Sequence, residues 1–314
     1  MAEGRVLVTG GAGFIGSHLC ESLSKKFEVV ALDNFSTGRR PNLRGINASI
    51  VRHDATKPFA KKLSKKFGKF DFVFNLASPA SPVDYANLSI PTLLTGSLGM
   101  KNALDFAKEN GARLLQASTS EVYGDPLVHP QREDYFGNVN PIGPRSCYDE
   151  AKRYAEALCM AYSRQGQPVV IARIFNTYGP KMRLDDGRVV PNLVGQSLRG
   201  EPLTVYGDGS QTRSFCHVSD TVRALELLMS SNHSGEVFNV GNPEEHKILE
   251  FAEKVKELTG ASSQISFLPL PVDDPKRRKP DISKIRGALG WEPKVNLEDG
   301  LKETIAWFRK RVKK

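Results

Sequence analysis

Residues 9–16 read TGGAGFIG and lie between an apolar run at residues 5–9 and an amphipathic segment at residues 15–24. Glycines at this spacing let the backbone turn sharply and approach a pyrophosphate at a helix N-terminus, where free N–H groups and the helix dipole favour an anion. A glycine pattern alone is weak evidence for nucleotide binding. This one, however, follows a strand pattern, opens a helix pattern and has Asp33 at the end of the next apolar run. The stretch therefore predicts the first turn of a dinucleotide-binding domain.

Apolar runs typical of strands alternate with amphipathic segments typical of helices through the first half of the chain. The strands are expected at residues 5–9, 28–32, 49–52, 70–76, 113–118 and 169–173, and three of the helices at residues 15–24, 92–109 and 148–163. This alternation predicts an α/β fold with a doubly wound parallel (Rossmann) sheet. Right-handed crossovers would bring the ends of the first, fourth and fifth strands to one edge, where ligands bind in such sheets.

After Asn176 the pattern loosens into loops rich in Gly, Pro and Arg. Helices are expected there at residues 189–199, 219–229, 248–259 and 297–310, with a strand at residues 237–240. We interpret this part as a smaller, mostly C-terminal substrate-binding lobe that is interleaved with the cofactor domain. The expected boundaries are 1–175 for the dinucleotide-binding domain, plus a returning segment near 214–241, and 176–314 for the substrate-binding lobe.

The 314 residues are 39% hydrophobic and 25% charged, which excludes a disordered or fibrous chain. No apolar run is long enough to span a bilayer, and the chain runs straight into its first strand, so we expect a cytoplasmic protein without a membrane partner. The four cysteines show no C-x-x-C spacing and the six histidines no ligand pattern, so no metal site is predicted. The net charge of +9 raises the possibility of nucleic-acid binding, but Lys and Arg are scattered, and no nucleic-acid partner is expected.

Asp33 is placed to accept hydrogen bonds from the adenosine ribose. Its charge would repel a 2′-phosphate, so NAD is the predicted cofactor, although Arg39 and Arg40 keep NADP open. Asp54 follows the third strand and could bond the adenine amino group or simply cap the strand end. The predicted cofactor-binding residues are Gly10, Gly13, Phe14, Ile15, Gly16, Asp33, Asn34, Phe35, Ser36, Thr37, Gly38, Asp54, Ala55, Leu76, Ala77, Ser78, Tyr148 and Lys152.

Tyr148 and Lys152 lie four residues apart, so a helix puts both on one face. A phenol has an ordinary pKa of about 10 and serves as a base near neutrality only if a neighbouring cation stabilises its phenolate. Lys152 and a positively charged nicotinamide could supply that charge. Together with the glycine stretch and the Ser118–Thr119–Ser120 sequence after the fifth strand, the pair predicts a redox enzyme.

These motifs resemble the extended short-chain dehydrogenase/reductases that act on nucleotide sugars, and more narrowly the UDP-glucuronate decarboxylase (UDP-xylose synthase) family. The narrower resemblance rests on LASPASP at 76–82, STSEVYGD at 118–125, NPIG at 140–143, SCYDE at 146–150, RIFNTYGP at 173–180, DDGRVV at 185–190, QTRSF at 211–215 and RKPDI at 278–282. It spans nearly the whole chain and departs at Leu94-Thr95-Gly96, where relatives carry Lys-Thr-Asn.

The resemblance implies catalytic roles for Thr119, Ser120, Glu121, Tyr148, Lys152 and Arg278, and substrate contacts for Ser81, Tyr85, Asn176, Arg188, Tyr206, Arg213 and Arg278. Arg forks suit both a diphosphate and a uronate. It implies that UDP-glucuronate loses its carboxyl group through a transient C4 ketone, with the hydride returned to C4. It also implies a homodimer paired through the helices at 92–109 and 148–163.

Ser120 and Glu121 help to choose among the related reactions. Related 4,6-dehydratases carry Asp-Glu at these positions, because an Asp protonates the leaving hydroxyl, whereas carbon dioxide needs no such proton. A carboxylate at position 120 would also repel the substrate carboxylate. Glu121 is interpreted as a group that acts at C5 or through water, or as a hydrogen-bonding support. A UDP-uronate 4-epimerase, or a related nucleotide-sugar epimerase or dehydratase, is the alternative enzyme, and a nucleotide-sensing or nucleic-acid-binding protein is the alternative class.

Overall fold

A parallel sheet of seven strands forms the centre of the protein, whose computed structural model describes residues 2–271 and 273–312. In chain order the strands are β1 (Arg5–Thr9), β2 (Glu28–Asp33), β3 (Ala48–Arg52), β4 (Phe72–Asn75), β5 (Arg113–Thr119), β6 (Val169–Ile174), β7 (Thr177–Tyr178), β8 (Leu203–Tyr206), β9 (Thr212–Ser214), β10 (Cys216–His217), β11 (Glu236–Val240), β12 (Glu245–Lys247), β13 (Ile265–Leu268) and β14 (Arg277–Arg278). The central sheet has the order β3-β2-β1-β4-β5-β6-β11.

The helices cover both faces of this sheet and build the second lobe. They are α1 (Phe14–Leu23), α2 (Ala60–Phe67), α3 (Pro82–Asn87), α4 (Ser89–Leu94), α5 (Met100–Asn110), α6 (Ser146–Ser163), α7 (Val189–Arg199), α8 (Val218–Ser230), α9 (Ile248–Thr259), α10 (Ser283–Leu289) and α11 (Leu297–Val312). The predicted doubly wound α/β fold is confirmed.

The central strands are mostly apolar because both of their faces are covered, and polar residues such as Thr9, Asn75 and Thr119 lie at their carboxyl ends. Val6 and Val8 on β1 pack with α1 and α8, while Leu7 packs on the opposite face with α5 and α6. The direction of strand addition reverses between β1 and β4. That reversal leaves a crevice at the carboxyl ends of the strands, which is where ligands bind in this class of sheet.

The second lobe has its own core between α7, α9 and α11. Phe251 and Phe308 are fully buried there, beside the two-stranded sheet of β8 and β13. The chain also returns to the central sheet, because β11 pairs with β6 as its edge strand. A further return was not predicted: Ile285 of α10 and the buried Trp291 join the core under the central sheet.

The helix predicted over residues 92–109 is part of a helical segment that covers residues 89–110. It is divided into α4 and α5 by a π-helical turn over Thr95–Gly99. The Thr95 and Ser97 hydroxyls bond the carbonyl oxygens of Pro91 and Leu93 at 2.7 and 2.8 Å, and glycine is a poor helix former. A Cβ on Gly96 would lie 2.7 Å from the Ala151 Cβ, so this turn packs tightly against α6.

Candidate active site

A cavity of about 1260 Å³ lies at the carboxyl ends of the central strands and extends under the second lobe. Its walls come from the ends of β1, β2, β4, β5 and β6, from α6, and from the segments around Arg188 and Arg213. The residues predicted from separate parts of the sequence therefore meet at one site, with two exceptions described below.

The glycine stretch forms one end of this cavity. Gly10 has a φ of +68°, and a Cβ there would lie 2.9 Å from the Leu76 carbonyl oxygen. A Cβ on Gly16 would collide with the Gly10 carbonyl oxygen. Helix α1 begins after Gly13 without a side-chain cap, so its first turn leaves backbone N–H groups for an anion. This cradle fits a pyrophosphate.

Asp33 ends β2 beside the cradle and is buried. Its carboxylate accepts hydrogen bonds from the backbone N–H groups of Ala12 at 2.9 Å and Phe35 at 2.8 Å. Burial raises the pKa of Asp33, and these two hydrogen bonds oppose the rise. A Cβ on Gly38 would lie 2.7 Å from the Asp33 Oδ2 atom, so the loop after β2 wraps closely around this carboxylate. The arrangement suits ribose hydroxyls.

Tyr148 and Lys152 lie one turn apart on α6 and both line the cavity. Lys152 Nζ donates a hydrogen bond to the Ala117 carbonyl at 2.8 Å and lies 5.7 Å from the centre of the Tyr148 ring. Burial lowers the pKa of Lys152 to about 8. Burial also raises the pKa of Tyr148 to about 12, although a hydrogen bond from Thr119 opposes that rise. The charge that makes Tyr148 a base near neutral pH must therefore come with the ligands.

A network of partly buried ion pairs lies beside Tyr148. The Glu121 carboxylate accepts from Arg278 Nη1 at 2.6 Å and from Arg145 Nη2 at 2.7 Å. Burial alone would raise the pKa of Glu121, but the positive charges of Arg278 and Arg145 outweigh it and lower the pKa to about 2. Arg278 also donates to the Ser120 hydroxyl at 3.0 Å and to the Gly124 carbonyl at 2.9 Å. Glu121 is therefore ionised and held on both sides.

The remaining arginines of the cavity are also paired with carboxylates. Arg213 Nη2 donates to Asp274 at 2.8 Å, and Arg188 donates to both oxygens of Asp186. Arg183, which the sequence reasoning missed, bonds Asp84 at 2.7 Å and joins the second lobe to α3. The Arg213–Asp274 and Arg183–Asp84 pairs join segments that are distant in the sequence, whereas Arg188 and Asp186 are only two residues apart.

Most of the predicted site residues line the cavity. They are Gly10, Gly13, Phe14, Ile15, Gly16, Asp33, Asn34, Ser36, Thr37, Gly38, Asp54, Ala55, Leu76, Ala77, Ser78, Ser81, Tyr85, Thr119, Ser120, Glu121, Tyr148, Lys152, Asn176, Arg188, Tyr206 and Arg213. Leu94 and Thr95 of the departing stretch line it too.

Phe35 and Arg278 are not among the cavity-lining residues. The Phe35 ring lies under the Arg40 guanidinium, 5.1 Å away, and only its backbone N–H meets Asp33. Arg278 is 2% exposed, and its Nε atom is buried without a hydrogen-bond partner within residues 2–271 and 273–312. Ser120, Glu121 and Gly124 hold Arg278 in the cavity wall, and its contact with the substrate stays a prediction.

Sequence reasoning also missed Arg145, which lines the cavity three residues before Tyr148. Its guanidinium lies 6.0 Å from the centre of the Tyr85 ring, and the Tyr85 ring stacks on Tyr148 at 5.2 Å. The available signal was the spacing, because residues three apart on a helix are neighbours. No comparable spacing in the sequence pointed to Asp274, the carboxylate that accepts from Arg213.

Across 2–271 and 273–312, no group of three or more His, Cys, Asp or Glu side chains is arranged to hold a metal ion. No helix within those same ranges combines the length and the apolar character needed to cross a membrane.

The fold and the site define a dinucleotide-dependent enzyme of the Rossmann type with a Tyr/Lys pair. A family model described as "NAD dependent epimerase/dehydratase family" matches residues 6–241. The chain belongs to the NAD dependent epimerase/dehydratase family, and its cofactor is NAD.

Curated relatives match almost the whole chain. UDP-glucuronic acid decarboxylase 1 of Xenopus tropicalis is 54% identical, over 98% of this chain and 73% of that protein. UDP-glucuronic acid decarboxylase 6 of Arabidopsis thaliana is 52% identical, over 98% of this chain and 90% of that protein. These relatives share the predicted narrower family.

Solved structures resemble the fold at lower identity. The UDP-glucose 4-epimerase of Thermotoga maritima with UDP-glucose has a TM-score of 0.90 at 31% identity, covering 98% of this chain and 99% of that one. The UDP-glucuronic acid 4-epimerase of Bacillus cereus, in complex with UDP-glucuronic acid and NAD, has a TM-score of 0.87 at 31% identity, covering 98% and 99%.

Proposed function

We propose that this protein converts UDP-glucuronate into UDP-xylose and carbon dioxide, using NAD that is regenerated in each cycle. The observation that carries the proposal is identity above 50%, across 98% of the chain, to proteins named UDP-glucuronic acid decarboxylase. The cavity supports it, because it joins a pyrophosphate cradle to a buried base and a cluster of arginines. The 4-epimerases resemble the fold at only 31% identity.

The cradle after β1 and the Asp33 carboxylate would hold NAD. The close approaches at Gly10 and Gly16 leave no room for side chains where the pyrophosphate would lie. Bound NAD supplies a hydride acceptor for the sugar C4 atom, returns the same hydride later, and brings a positively charged nicotinamide ring. That charge favours the phenolate of Tyr148, whose pKa burial otherwise raises to about 12.

Tyr148 would take the proton of the C4 hydroxyl as C4 is oxidised to a ketone. The ketone then stands beta to the C6 carboxylate, so the C5–C6 bond can break with its electron pair passing to the C4 oxygen. Thr119, which hydrogen-bonds Tyr148, and the protonated Tyr148 would stabilise this enolate oxygen. A proton from water would then add at C5, and Tyr148 would give its own proton back to the C4 oxygen as the ketone is reduced again.

Glu121 is poorly suited to donate a proton to C5, because the positive charges of Arg278 and Arg145 keep its carboxylate ionised. Of the two interpretations made from the sequence, its contacts favour a supporting role. We infer that Glu121 positions Arg145 and Arg278 around the sugar end of the cavity. Ser120 is compatible with this role, since it accepts a hydrogen bond from Arg278 and adds no negative charge.

The proposal is tested by incubating the purified protein with UDP-glucuronate and measuring the mass of the product. A decarboxylase gives a nucleotide sugar that is lighter by one carbon dioxide molecule. A 4-epimerase gives a product of unchanged mass with a different chromatographic retention, and a dehydratase gives one that is lighter by one water molecule. Either of these two results would reject the proposed reaction.

We also propose that two copies pair through α4, α5 and α6, as the family resemblance implies. Apolar side chains on this surface support the pairing: Ile90 is 68% exposed, and Leu93, Leu98 and Tyr154 are also exposed. Light scattering on the protein in solution should give twice the monomer mass, and Ile90→Glu should give the monomer mass. A monomeric parent protein would contradict the pairing.

We also propose that the protein works in the cytoplasm. Its four free, buried cysteines support this location, because cytoplasmic proteins rarely form disulfides.

A further inference from the structure

We infer that Arg145 is the residue that recognises the carboxylate of the sugar and so selects an acidic substrate. This inference rests on the proposed function, because it names the group that would hold the C6 carboxylate of UDP-glucuronate. The family resemblance implies a substrate contact for Arg278, but Arg278 is enclosed in the cavity wall, whereas Arg145 borders the cavity.

The first argument is the location of Arg145. C6 is bonded to C5, and C5 is bonded to C4, so a carboxylate at C6 must lie close to the base that meets the C4 hydroxyl. Arg145 precedes α6, and its carbonyl accepts the backbone N–H of Tyr148 at 3.0 Å. Its guanidinium lies over Tyr85, which stacks on Tyr148. The diphosphate, attached at C1 on the opposite side of the sugar ring, would lie further from Tyr148.

The second argument is the number of free donors. Glu121 takes only the Nη2 atom of Arg145, at 2.7 Å. Within residues 2–271 and 273–312, Nε and Nη1 have no hydrogen-bond acceptor, and the Asp274 carboxylate lies 3.6 Å from Nη1. The side chain is 16% exposed and borders the cavity. An arginine presents its donors in a planar fork that suits a carboxylate.

The third argument is the balance of charge. Arg145 and Arg278 share the single carboxylate of Glu121, which leaves one positive charge next to the cavity. Asp274 lies between Arg213 and Arg145, so Arg145, Arg278 and Arg213 together face only the two carboxylates of Glu121 and Asp274 and still leave one positive charge, while Arg188 is paired with Asp186. Asp149 lies one turn beyond Arg145, and burial raises its pKa to about 7, so it adds only part of a negative charge near neutral pH. A uronate would neutralise the remaining charge, whereas a neutral sugar would not.

The test compares binding of UDP-glucuronate with binding of UDP-glucose, which has the same diphosphate but no carboxylate. The protein is the NAD-loaded Tyr148→Phe variant, which cannot oxidise either sugar. Adding Arg145→Gln should weaken UDP-glucuronate binding roughly 10- to 100-fold, the range for losing a charge-assisted hydrogen bond, and leave UDP-glucose binding unchanged. Arg145→Lys should recover part of the preference, since it keeps the charge without the fork.

Arg164→Gln is the matched control, because Arg164 is exposed at the far end of α6. It should leave both affinities unchanged. Equal weakening of both sugars in Arg145→Gln would mean that Arg145 acts on the fold or on the diphosphate, and would overturn the inference. Unchanged affinities, or loss of the preference in Arg278→Gln alone, would overturn it as well.

Turnover of the parent protein separates this inference from the proposed function. If the parent releases no carbon dioxide but its preference for the acidic sugar depends on Arg145, the proposed reaction fails and the inference stands. If the parent releases carbon dioxide and Arg145→Gln keeps the full preference, the inference fails and the reaction stands.

Discussion

The end of the cavity that would hold NAD, here called the nucleotide end, is built from backbone and glycine. The end that would hold the sugar, here called the sugar end, is built from charged side chains contributed by distant parts of the chain. Gly10, Gly16 and Asp33 belong to one continuous β1-α1-β2 unit. At the other end, Arg278 and Glu121 are 157 residues apart in sequence and Arg213 and Asp274 are 61 apart. The first end depends on shape and the second on the balance of charge, so the two ends should respond differently to substitution.

The chemical step joins the two ends and should show the largest effect. Tyr148→Phe removes only the phenol oxygen, and we expect kcat to fall by roughly 10²- to 10⁴-fold, as is typical for loss of a general acid–base group. NAD binding should be unchanged, since the cradle lies elsewhere. Single-turnover kinetics and NAD titration measure the two quantities. An active Tyr148→Phe variant would contradict the assignment of the base.

Shape at the nucleotide end is tested by Gly16→Ala. The new Cβ would collide with the Gly10 carbonyl oxygen, so the cradle must open, and we expect NAD affinity to fall by about tenfold or more, equivalent to about 1.4 kcal/mol. Gly287→Ala is the control, because a Cβ there meets nothing within 4 Å and the residue lies inside α10. Equal NAD affinity in Gly16→Ala and the parent would show that the cradle is not shaped as described.

Charge at the sugar end is tested by Ser120→Asp. The new carboxylate would lie near Arg278 and cancel the excess positive charge, so we expect the KM for UDP-glucuronate to rise by about tenfold, which is about 1.4 kcal/mol. NAD affinity should not change, and Ser120→Ala controls for the loss of the hydroxyl. An unchanged KM in Ser120→Asp would mean that this charge balance does not govern binding.

The smallest effect concerns Asp149, which is buried beside Tyr148 with its Oδ1 atom unpaired within the described residues 2–271 and 273–312. Because burial raises its pKa from 3.8 to about 7, its contribution to stability is present at acid pH and is lost as the pH rises through 7. Asp149→Asn should therefore raise the melting temperature by about 2 °C at pH 8 and by less at pH 5.

Glu109→Gln is the control for that measurement, because Glu109 is exposed near the end of α5. It should change the melting temperature little at either pH. A gain from Asp149→Asn that is equal at both pH values would show that ionisation of Asp149 is not the cause.

The same contrast explains what the sequence could predict. The glycine stretch, Asp33 and the apolar strands are local signals, because each depends on residues close together in the chain. The close packing of Gly96, in the π turn, against Ala151 of α6 is a long-range contact. Local patterns could not reveal it.

At the sugar end, too, the sequence alone could not predict how the side chains are arranged. Residue type suggested that Arg278 binds an acid, but type does not say whether a guanidinium faces the cavity or is enclosed in its wall. The fold decides that question, because Ser120, Glu121 and Gly124 surround Arg278 and leave Arg145 facing the cavity. The chemistry of the site was therefore predictable, while the assignment of its individual charges was not.

The central claim is that a hydride removed from C4 and later restored there makes the C6 carboxyl group leave. The most direct measurement uses UDP-glucuronate with heavy carbon at C6 and deuterium at C4, followed by mass spectrometry of the sugar nucleotide and of the trapped gas. We predict that all of the heavy carbon appears in carbon dioxide while the deuterium remains at C4 of UDP-xylose. Heavy carbon retained in the sugar, or deuterium lost to water, would contradict the account.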